Sequence, residues 1–171
     1  MGEDSGLENL ASRLQRVEDE LSIVRLLSRC AHAVDYGDEE TSLDSFTDDA
    51  TWQGRHVSTG KTFIQHSGKD QLAEFFRAHT RAPHLYHKHF VADISIDIRG
   101  DDASSSAYVM LVVSGPGSLP ALGGFGRYHD EIRRCADGEW RIASRLAEVE
   151  AWNPLYEELA RTRRHMHLAS S

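Results

Sequence analysis

The sequence predicts an α+β fold in which the helices come first and the strands come last. An apolar residue recurs at steps of three or four from Leu7 to Val34, which predicts a long N-terminal helix. The second half of the chain instead holds alternating or β-branched apolar segments, which are typical of strands. Helices gathered before strands favour one curved sheet wrapped over the long helix.

Three helices are expected in the first half. The long helix covers roughly residues 6–36, and its apolar stripe is expected to face the core. It ends at Tyr36-Gly37-Asp38, a typical C-terminal cap. The two shorter helices are predicted at 39–46 and at 70–81, the latter capped by Ser67 or Asp70, with a short strand at 50–53 and a loop with a ragged strand between them.

The strands of the second half are predicted to form an antiparallel meander. The expected elements are a strand at 90–98, a strand at 106–114, a loop at 115–124, hairpin strands at 125–135 and 139–150, and a final helix at 154–163. The strand at 106–114 is almost wholly apolar, so we expect both of its faces to be covered. Asp137-Gly138 is a strong turn signal between the two hairpin strands.

Composition limits the classes of function. The 171 residues suit a single domain over 1–171, with a core at about 7–157 and a polar C-terminal tail. A net charge of −8 argues against a nucleic-acid partner, because phosphate binding needs a basic face. The sequence has no apolar run of about 18 residues, so no membrane span is expected. Two cysteines and no visible signal peptide favour the cytoplasm.

The ten histidines are the unusual feature of the composition, and they suggest imidazole or metal chemistry. Three of them cluster at His84, His87 and His89. The first two can be solvated loop residues. His89 begins a strand at the expected mouth of a pocket between the sheet and the long helix, so it is the candidate for a functional role.

A metal site is one alternative for this cluster. His87-x-His89, followed by Asp93 and Gly100, resembles the metal-binding pattern of cupins, and imidazoles with a carboxylate suit a divalent ion. Against it, the carboxylate is Asp where cupins have Glu, Arg81 stands where they have Gly, and a long first helix fits a cupin barrel badly.

Asp35 is the second candidate. It lies four residues after Ala31 and seven after Ser28, so it borders the apolar stripe of the long helix. A buried carboxylate at this position lowers the stability of the fold by an amount on the order of several kcal/mol, unless it is paired with a cation or hydrogen-bonded. Asp35 therefore either caps the turn before Gly37 or faces the cavity and holds a histidine.

Several motifs occur in a characteristic order. They are Leu-x-Arg-Cys-Ala-His-Ala-Val-Asp-Tyr-Gly-Asp at 27–38, Phe-Thr-Asp-Asp-Ala-Thr-Trp at 46–52, His-Phe at 89–90, Gly-Gly-Phe-Gly-Arg-Tyr-His-Asp-Glu at 123–131, and Asp-Gly-Glu-Trp-Arg-Ile-x-x-Arg at 137–145. Together they resemble the SnoaL-like branch of the NTF2-like superfamily, which includes scytalone dehydratase, bile acid 7α-dehydratase and hexachlorocyclohexane dehydrochlorinase. The resemblance extends over about residues 10–157.

This resemblance implies a cone-shaped α+β fold, in which a curved antiparallel sheet wraps around the N-terminal helix and a central apolar pocket. It implies that Asp35 and His89 form a catalytic pair, with His89 as the base. Trp52, Tyr128 and Arg145 match pocket residues of the family. The last two could stabilise developing negative charge, although a core tyrosine and a surface arginine remain alternatives.

We also expect Phe125, Cys30 and His87 to contact the substrate. Cys30 departs from the family pattern, because the dehydrochlorinase has Lys and the bile acid enzyme has Tyr at that position. The group that would assist departure of chloride or hydroxide is thus missing, which places both specific activities in doubt. Cys30 itself is expected to be a small buried apolar side chain.

Strand alternation conflicts with the proposed pair. Ile94, Ile96 and Ile98 place the even positions on the apolar face, whereas His89 is at an odd position. We therefore predict a β-bulge between residues 89 and 93 that turns His89 toward Asp35.

The sequence thus favours a cofactor-independent lyase or isomerase that acts on a small hydrophobic, cyclic or polyketide-like substrate. A non-catalytic protein that binds a hydrophobic ligand is the alternative, and a cupin-like metal enzyme is the third. Neither a cofactor nor a metal is expected. A homo-oligomer formed through the convex face of the sheet is expected, with a trimer favoured and a dimer possible.

Overall fold

The computed structural model describes residues 2–79, 81, 85–114 and 119–154, and side chains from residue 6 onward. The elements are α1 (Gly2–Tyr36), α2 (Glu39–Asp44), β1 (Phe46–His56), β2 (Thr62–Ser67), α3 (Lys69–Ala78), β3 (Tyr86–Arg99), β4 (Asp102–Ser114), β5 (Ala121–Arg134) and β6 (Trp140–Trp152). The α+β class and the order of helices before strands are confirmed. None of the described helices is both long and apolar enough to cross a membrane.

The six strands form one curved sheet in the order β2-β1-β6-β5-β4-β3. The predicted meander of β3 to β6 is confirmed, since each successive pair is antiparallel. β1 pairs in parallel with β6 and antiparallel with β2. β1 is much longer than the predicted strand at 50–53, because it has a neighbouring strand on each side.

The end of α1 has the predicted cap. Gly37 adopts a φ of 74°, the left-handed conformation that glycine tolerates best, and the Asp38 amide donates to the Ala33 carbonyl at 2.9 Å. The Asp38 side chain then caps α2 by accepting a hydrogen bond from the Thr41 amide at 3.0 Å. This turn fixes Asp35 in the last turn of α1, beside the sheet.

The core lies between the inner face of the sheet, α3 and the C-terminal half of α1. Its buried apolar members are Ile23, Leu26, Leu27, Cys30, Phe46, Ala50, Leu72, Phe76, Ala103, Ile132, Trp140 and Ile142. The prediction that the whole apolar stripe of α1 faces the core is wrong. The stripe residues from Leu7 to Leu21 are exposed. The sheet covers α1 only from about Asp19 onward, and it does so on the side of the helix opposite these residues.

A β-bulge in β3 reverses the side-chain alternation. Ala92 pairs with Tyr108 and Ser95 with Ser106, so β3 has one extra residue between these pairs. Asp93 adopts a φ of 50°, the only positive value in a non-glycine residue of the described chain. The bulge is therefore present, slightly after the predicted position, and it allows His89 and Ile94 to face the same interior.

Three local predictions are corrected. The N-cap of α3 is Gly68, with no side-chain cap, in place of Ser67 or Asp70. The strand at 106–114 is covered on one face only, since Tyr108 and Met110 are exposed. The hairpin turn at Gly138 is confirmed, but the loop is longer than two residues.

Other predictions concern residues outside the described ranges. They are the solvated position of His84, residues 115–118 of the predicted loop and the final helix beyond residue 154. The rest of that loop prediction is wrong from Ala121 onward, because β5 begins there.

Candidate functional site

An apolar pocket lies between the C-terminal half of α1, α3 and the inner face of the sheet. It is lined by Cys30, Ala31, Val34, Phe46, Trp52, Phe75, Phe76, His79, His89, Tyr128 and Arg145. The cavity volume is about 40 Å³, which is room for two or three water molecules. A ring-sized ligand can therefore enter only if aromatic side chains of the wall move.

Asp35 and His89 form a tight pair in the wall of this pocket. His89 Nδ1 lies 2.6 Å from Asp35 Oδ1, and the His89 backbone amide donates to the same carboxylate at 3.1 and 3.3 Å. Since an ionised carboxylate only accepts hydrogen bonds, Nδ1 carries the proton. Asp35 is buried, whereas His89 is partly accessible. The carboxylate thus fixes the ring and leaves Nε2 with a lone pair.

Two features of the sequence bring this pair together. The glycine cap after Tyr36 ends α1 just beyond Asp35, so the carboxylate lies at the helix end that packs against β3. The bulge at Asp93 turns the odd positions of the first part of β3 inward. Without that extra residue, His89 would share the outer face with Asp97.

His87 lies beneath the pair and does not line the pocket, in contrast to its predicted role as a solvated loop residue or a substrate contact. The residue is 1% exposed, and neither ring nitrogen has a hydrogen-bond partner. Its Nε2 lies 3.5 Å from Asp35 Oδ1, and its ring packs against the rings of His79 and His89. Burial, reinforced by the neighbouring imidazoles, lowers the pKa of His87 to about 2, so the ring stays neutral.

Among the residues that the structure describes, Asp35, His87 and His89 could also hold a metal ion, because one ligand atom from each lies within 4.8 Å of the others. Two ligands of one ion, each about 2.05 Å from it at 90° or more, are roughly 2.9 Å or farther apart. The 2.6 Å contact between Asp35 and His89 is shorter than this and has the length of a charge-assisted hydrogen bond. The arrangement therefore favours a hydrogen-bonded pair over a ligand set. The cupin pattern is not formed, because Asp93 is exposed and the described sheet is open.

Arg145 lines the pocket, but its charge is already paired. Its Nε and Nη2 donate to the two carboxylate oxygens of Asp130, each at 2.8 Å, and both residues are buried. Burial opposes the charge, yet the Asp130 carboxylate outweighs it and raises the pKa of Arg145. Arg145 Nη1 also contacts Cys30 Sγ at 3.8 Å. The expected alternative of a surface strand arginine is wrong, because Arg145 is buried.

Tyr128 stacks on this ion pair. The guanidinium carbon of Arg145 lies 4.3 Å from the centre of its ring. Burial raises the pKa of Tyr128 to about 12, so its hydroxyl keeps its proton and can act as a hydrogen-bond donor in the pocket.

Trp52 lines the pocket as expected, and it packs on Phe75 with ring centres 5.0 Å apart. Phe125 is not in the pocket. It is 43% exposed and pairs with Met110 on the outer face. The sequence contains the reason, since residues three apart on a strand point to opposite faces and Tyr128 points inward.

The sequence interpretation missed the contribution of α3. Phe75, Phe76 and His79 all line the pocket, and the rings of His79 and His89 are 5.9 Å apart. A signal was available, because His79 follows Phe75 by four residues and so shares its face of the helix.

Comparisons with known proteins agree with this architecture. The sequence matches the family described as SnoaL-like domain over residues 15–146. A search of curated proteins found no match. Many solved structures also match, and three of them are described below with their identity, coverage and TM-score.

A cystatin-like protein of unknown function from Nostoc punctiforme shares 27% identity, covering 80% of this chain and 95% of its own, with a TM-score of 0.64. An NTF2-like protein with a cystatin-like fold from Novosphingobium aromaticivorans shares 21% identity, covering 90% and 96%, with a TM-score of 0.70. ActVI-ORFA from Streptomyces coelicolor shares 18% identity, covering 74% and 93%, with a TM-score of 0.63. The fold is therefore NTF2-like, and because the family match covers most of the sequence, the chain belongs to the SnoaL-like domain family.

Proposed function

We propose that this protein is a cofactor-independent lyase or isomerase of the dehydratase type, and that His89 removes a proton from carbon in a small hydrophobic cyclic substrate. The observation that carries the proposal is the 2.6 Å hydrogen bond from His89 Nδ1 to the buried Asp35 carboxylate in the wall of an apolar pocket. The resemblance to dehydratases of the SnoaL-like branch supports the reaction class.

The pair has the properties of a general base. Neutral imidazole accepts a proton near neutral pH, and the lone pair of His89 is on Nε2 because Nδ1 donates to Asp35. When Nε2 takes a proton, the ring becomes cationic and the adjacent Asp35 carboxylate stabilises that charge. Both contacts of Asp35 to His89, through the ring and the backbone, keep the ring in one orientation.

Tyr128 is the candidate for stabilising the negative charge that develops on the substrate. Tyr128 lines the pocket and its hydroxyl remains protonated at neutral pH, so it is a candidate donor to an enolate or carbonyl oxygen. Arg145 acts through Tyr128, because its own charge is neutralised by Asp130. The substrate oxygen therefore meets a neutral donor backed by a buried ion pair.

The pocket wall supports an apolar, flat substrate. Aromatic rings of Phe46, Trp52, Phe75 and Phe76 make up much of the lining. Since the cavity is only about 40 Å³, binding a ring requires displacement of some of these side chains. Phe75 is the candidate for this movement, since it is only partly buried and lies on the short helix α3.

The test uses 2-tetralone, a flat bicyclic ketone with an acidic benzylic C–H beside its carbonyl. In D₂O a base that reaches this C–H replaces its hydrogen by deuterium, and proton NMR follows the loss of signal. We expect the wild-type protein to accelerate the exchange and His89→Asn to lose the acceleration by roughly 10²–10⁴-fold, the usual contribution of a positioned base. Asn retains a donor at the Nδ1 position but has no base at Nε2.

His129→Asn is the matched control, because His129 also contacts a carboxylate, Glu148 at 3.2 Å, but lies outside the pocket. It should exchange deuterium at the wild-type rate. Equal rates in the wild-type and His89→Asn proteins would contradict the base role. If 2-tetralone still shifts pocket resonances in both, the protein is instead a non-catalytic carrier of hydrophobic ligands.

A further inference from the structure

The N-terminal half of α1 carries an uncovered apolar stripe. Its five large side chains are 49–66% exposed, namely Leu7, Leu10, Leu14, Val17 and Leu21. Single exposed leucines are normal on protein surfaces, but five consecutive positions of one helical stripe form a contiguous apolar surface. We call these five residues the α1 seam.

The α1 seam faces away from the domain to which it belongs. Ile23 and Cys30, on the core face of α1, are buried under the sheet and α3. At 3.6 residues per turn, Leu14 and Leu21 lie roughly 180° around the helix from that face. No described residue of the same chain therefore covers the seam, and a partner could reach it without disturbing the core or the pocket.

The spacing of the seam is that of a coiled coil. Its members follow one another at strict steps of three and four, so Leu7, Leu14 and Leu21 occupy heptad position a, and Leu10 and Val17 occupy position d. A repeat of 3.5 residues produces a narrower apolar stripe than the one on an ordinary surface helix. It matches another helix of the same repeat, and the chain itself supplies one in a second copy.

The charges beside the seam are complementary between two parallel copies. In a parallel pair, position g of one helix meets position e′ of the next heptad on the other. Arg13 at g then meets Glu18 at e′, and Glu20 at g meets Arg25 at e′. Both contacts join opposite charges, and twofold symmetry makes each occur twice. A fully overlapping antiparallel pair retains only the contact between Arg13 and Glu20.

We propose that the α1 seam pairs with the seam of a second copy in a parallel two-stranded coiled coil, which makes the protein a homodimer. The two domains then lie on the outer sides of the helix pair, and their pockets remain open. This arrangement differs from the expected trimer through the convex face of the sheet. It does not depend on the proposed catalytic activity.

The first test is the mass in solution, measured by light scattering during size-exclusion chromatography over a concentration series. The wild-type protein should have twice the mass of one chain. Leu14→Glu places a charge at the centre of the seam and should raise the dissociation constant roughly 100-fold or more. Ser12→Glu, on the same helix but at outward position f, should remain dimeric.

Met110→Glu distinguishes an interface at the α1 seam from an interface at the outer face of the sheet. Met110 is 43% exposed on the outer face of the sheet, so this variant should remain dimeric if the seam is the interface. A wild-type monomer, or dissociation by Met110→Glu while Leu14→Glu stays associated, would overturn the proposal. Leu14 contacts solvent in the single chain, so the thermal unfolding of Leu14→Glu at monomer concentrations should show a folded domain.

Charge reversal tests the orientation without relying on that variant. Arg13→Glu places like charges beside the seam and should weaken the dimer, most clearly at low salt. In the parallel arrangement, addition of Glu18→Arg restores the attraction. Rescue by Glu20→Arg instead of Glu18→Arg would show an antiparallel pair and contradict the proposal, as would the absence of any effect of Arg13→Glu.

Discussion

The buried ion pair behind Tyr128 gives the sharpest stability prediction. Arg145 is held by two hydrogen bonds of 2.8 Å to Asp130, and the two residues are 5% and 3% exposed. Asp130→Asn keeps the shape of the side chain but removes its charge and one acceptor oxygen. The guanidinium is then buried without a counter-charge. It keeps at most one hydrogen bond, to the remaining side-chain oxygen, together with its contacts to the rings of Tyr128 and Phe46 and the weak contact to Cys30.

The expected loss follows from this burial. Removal of one partner from a buried pair costs about 3–5 kcal/mol. Stacking on Tyr128 retains part of the stabilisation of the cation, so we expect about 3 kcal/mol, near the lower end of that range. For a domain of this size, that loss lowers Tm by roughly 6–12 °C. Since whole domains are stable by only about 5–15 kcal/mol, the variant should fold but be markedly less stable.

Urea-induced unfolding followed by circular dichroism measures the loss. Asp48→Asn is the control, because Asp48 is 90% exposed in its 2.9 Å contact with Lys69, and exposed pairs contribute less than about 1 kcal/mol. Asp130→Leu combined with Arg145→Met should recover most of the wild-type stability, since a buried pair replaced by apolar residues is often neutral. If Asp130→Asn destabilises no more than Asp48→Asn, the reasoning about the buried guanidinium is wrong.

Two further predictions concern buried titratable groups. The pKa of His87 is about 2 in the folded protein and near 6.5 in the unfolded chain. Between about pH 2 and pH 6.5 the unfolded chain therefore binds more protons than the folded protein. The free energy of unfolding should consequently fall by up to about 1.4 kcal/mol for each pH unit below pH 6.5. In urea titrations at about pH 6.5 and 5, the free energy of unfolding of His87→Gln should fall less than that of the wild-type protein, because the variant lacks this histidine. An equal fall in both proteins would refute the prediction. Burial raises the pKa of the Cys30 thiol, so iodoacetamide should label Cys135 in the folded protein and Cys30 only after unfolding. Mass spectrometry identifies the labelled cysteine. Prompt labelling of Cys30 in the folded protein would contradict its burial.

The resemblance to the SnoaL-like branch predicted the pairing of Asp35 with His89, and local patterns of the sequence predicted how the chain allows it. Periodicity located the end of α1 at Gly37, and the conflict in strand parity at His89 required a bulge, which the structure shows beside Asp93. Both arguments use short-range rules, in which one residue more or less decides the face of a side chain.

The sequence was not sufficient where a long-range partner decides the outcome. Nothing local to Arg145 indicates that Asp130, on the neighbouring strand β5, takes its charge. The same holds for α1, where one apolar repeat from Leu7 to Val34 is split by the fold into an exposed half and a buried half. The steps from Leu21 to Val24 and from Val24 to Leu27 are both three residues, so the later members of the repeat lie on a different face of the helix from the earlier ones.

The most direct test of the proposed function is the protonation state of the two ring nitrogens of His89, read by ¹⁵N NMR near neutral pH. We expect a proton on Nδ1, held by Asp35, and a free lone pair on Nε2. Asp35→Asn should shift the proton away from Nδ1, because the amide no longer attracts it as the carboxylate does. A wild-type ring that carries its proton on Nε2 would present no base to the pocket and would contradict the proposed role of His89.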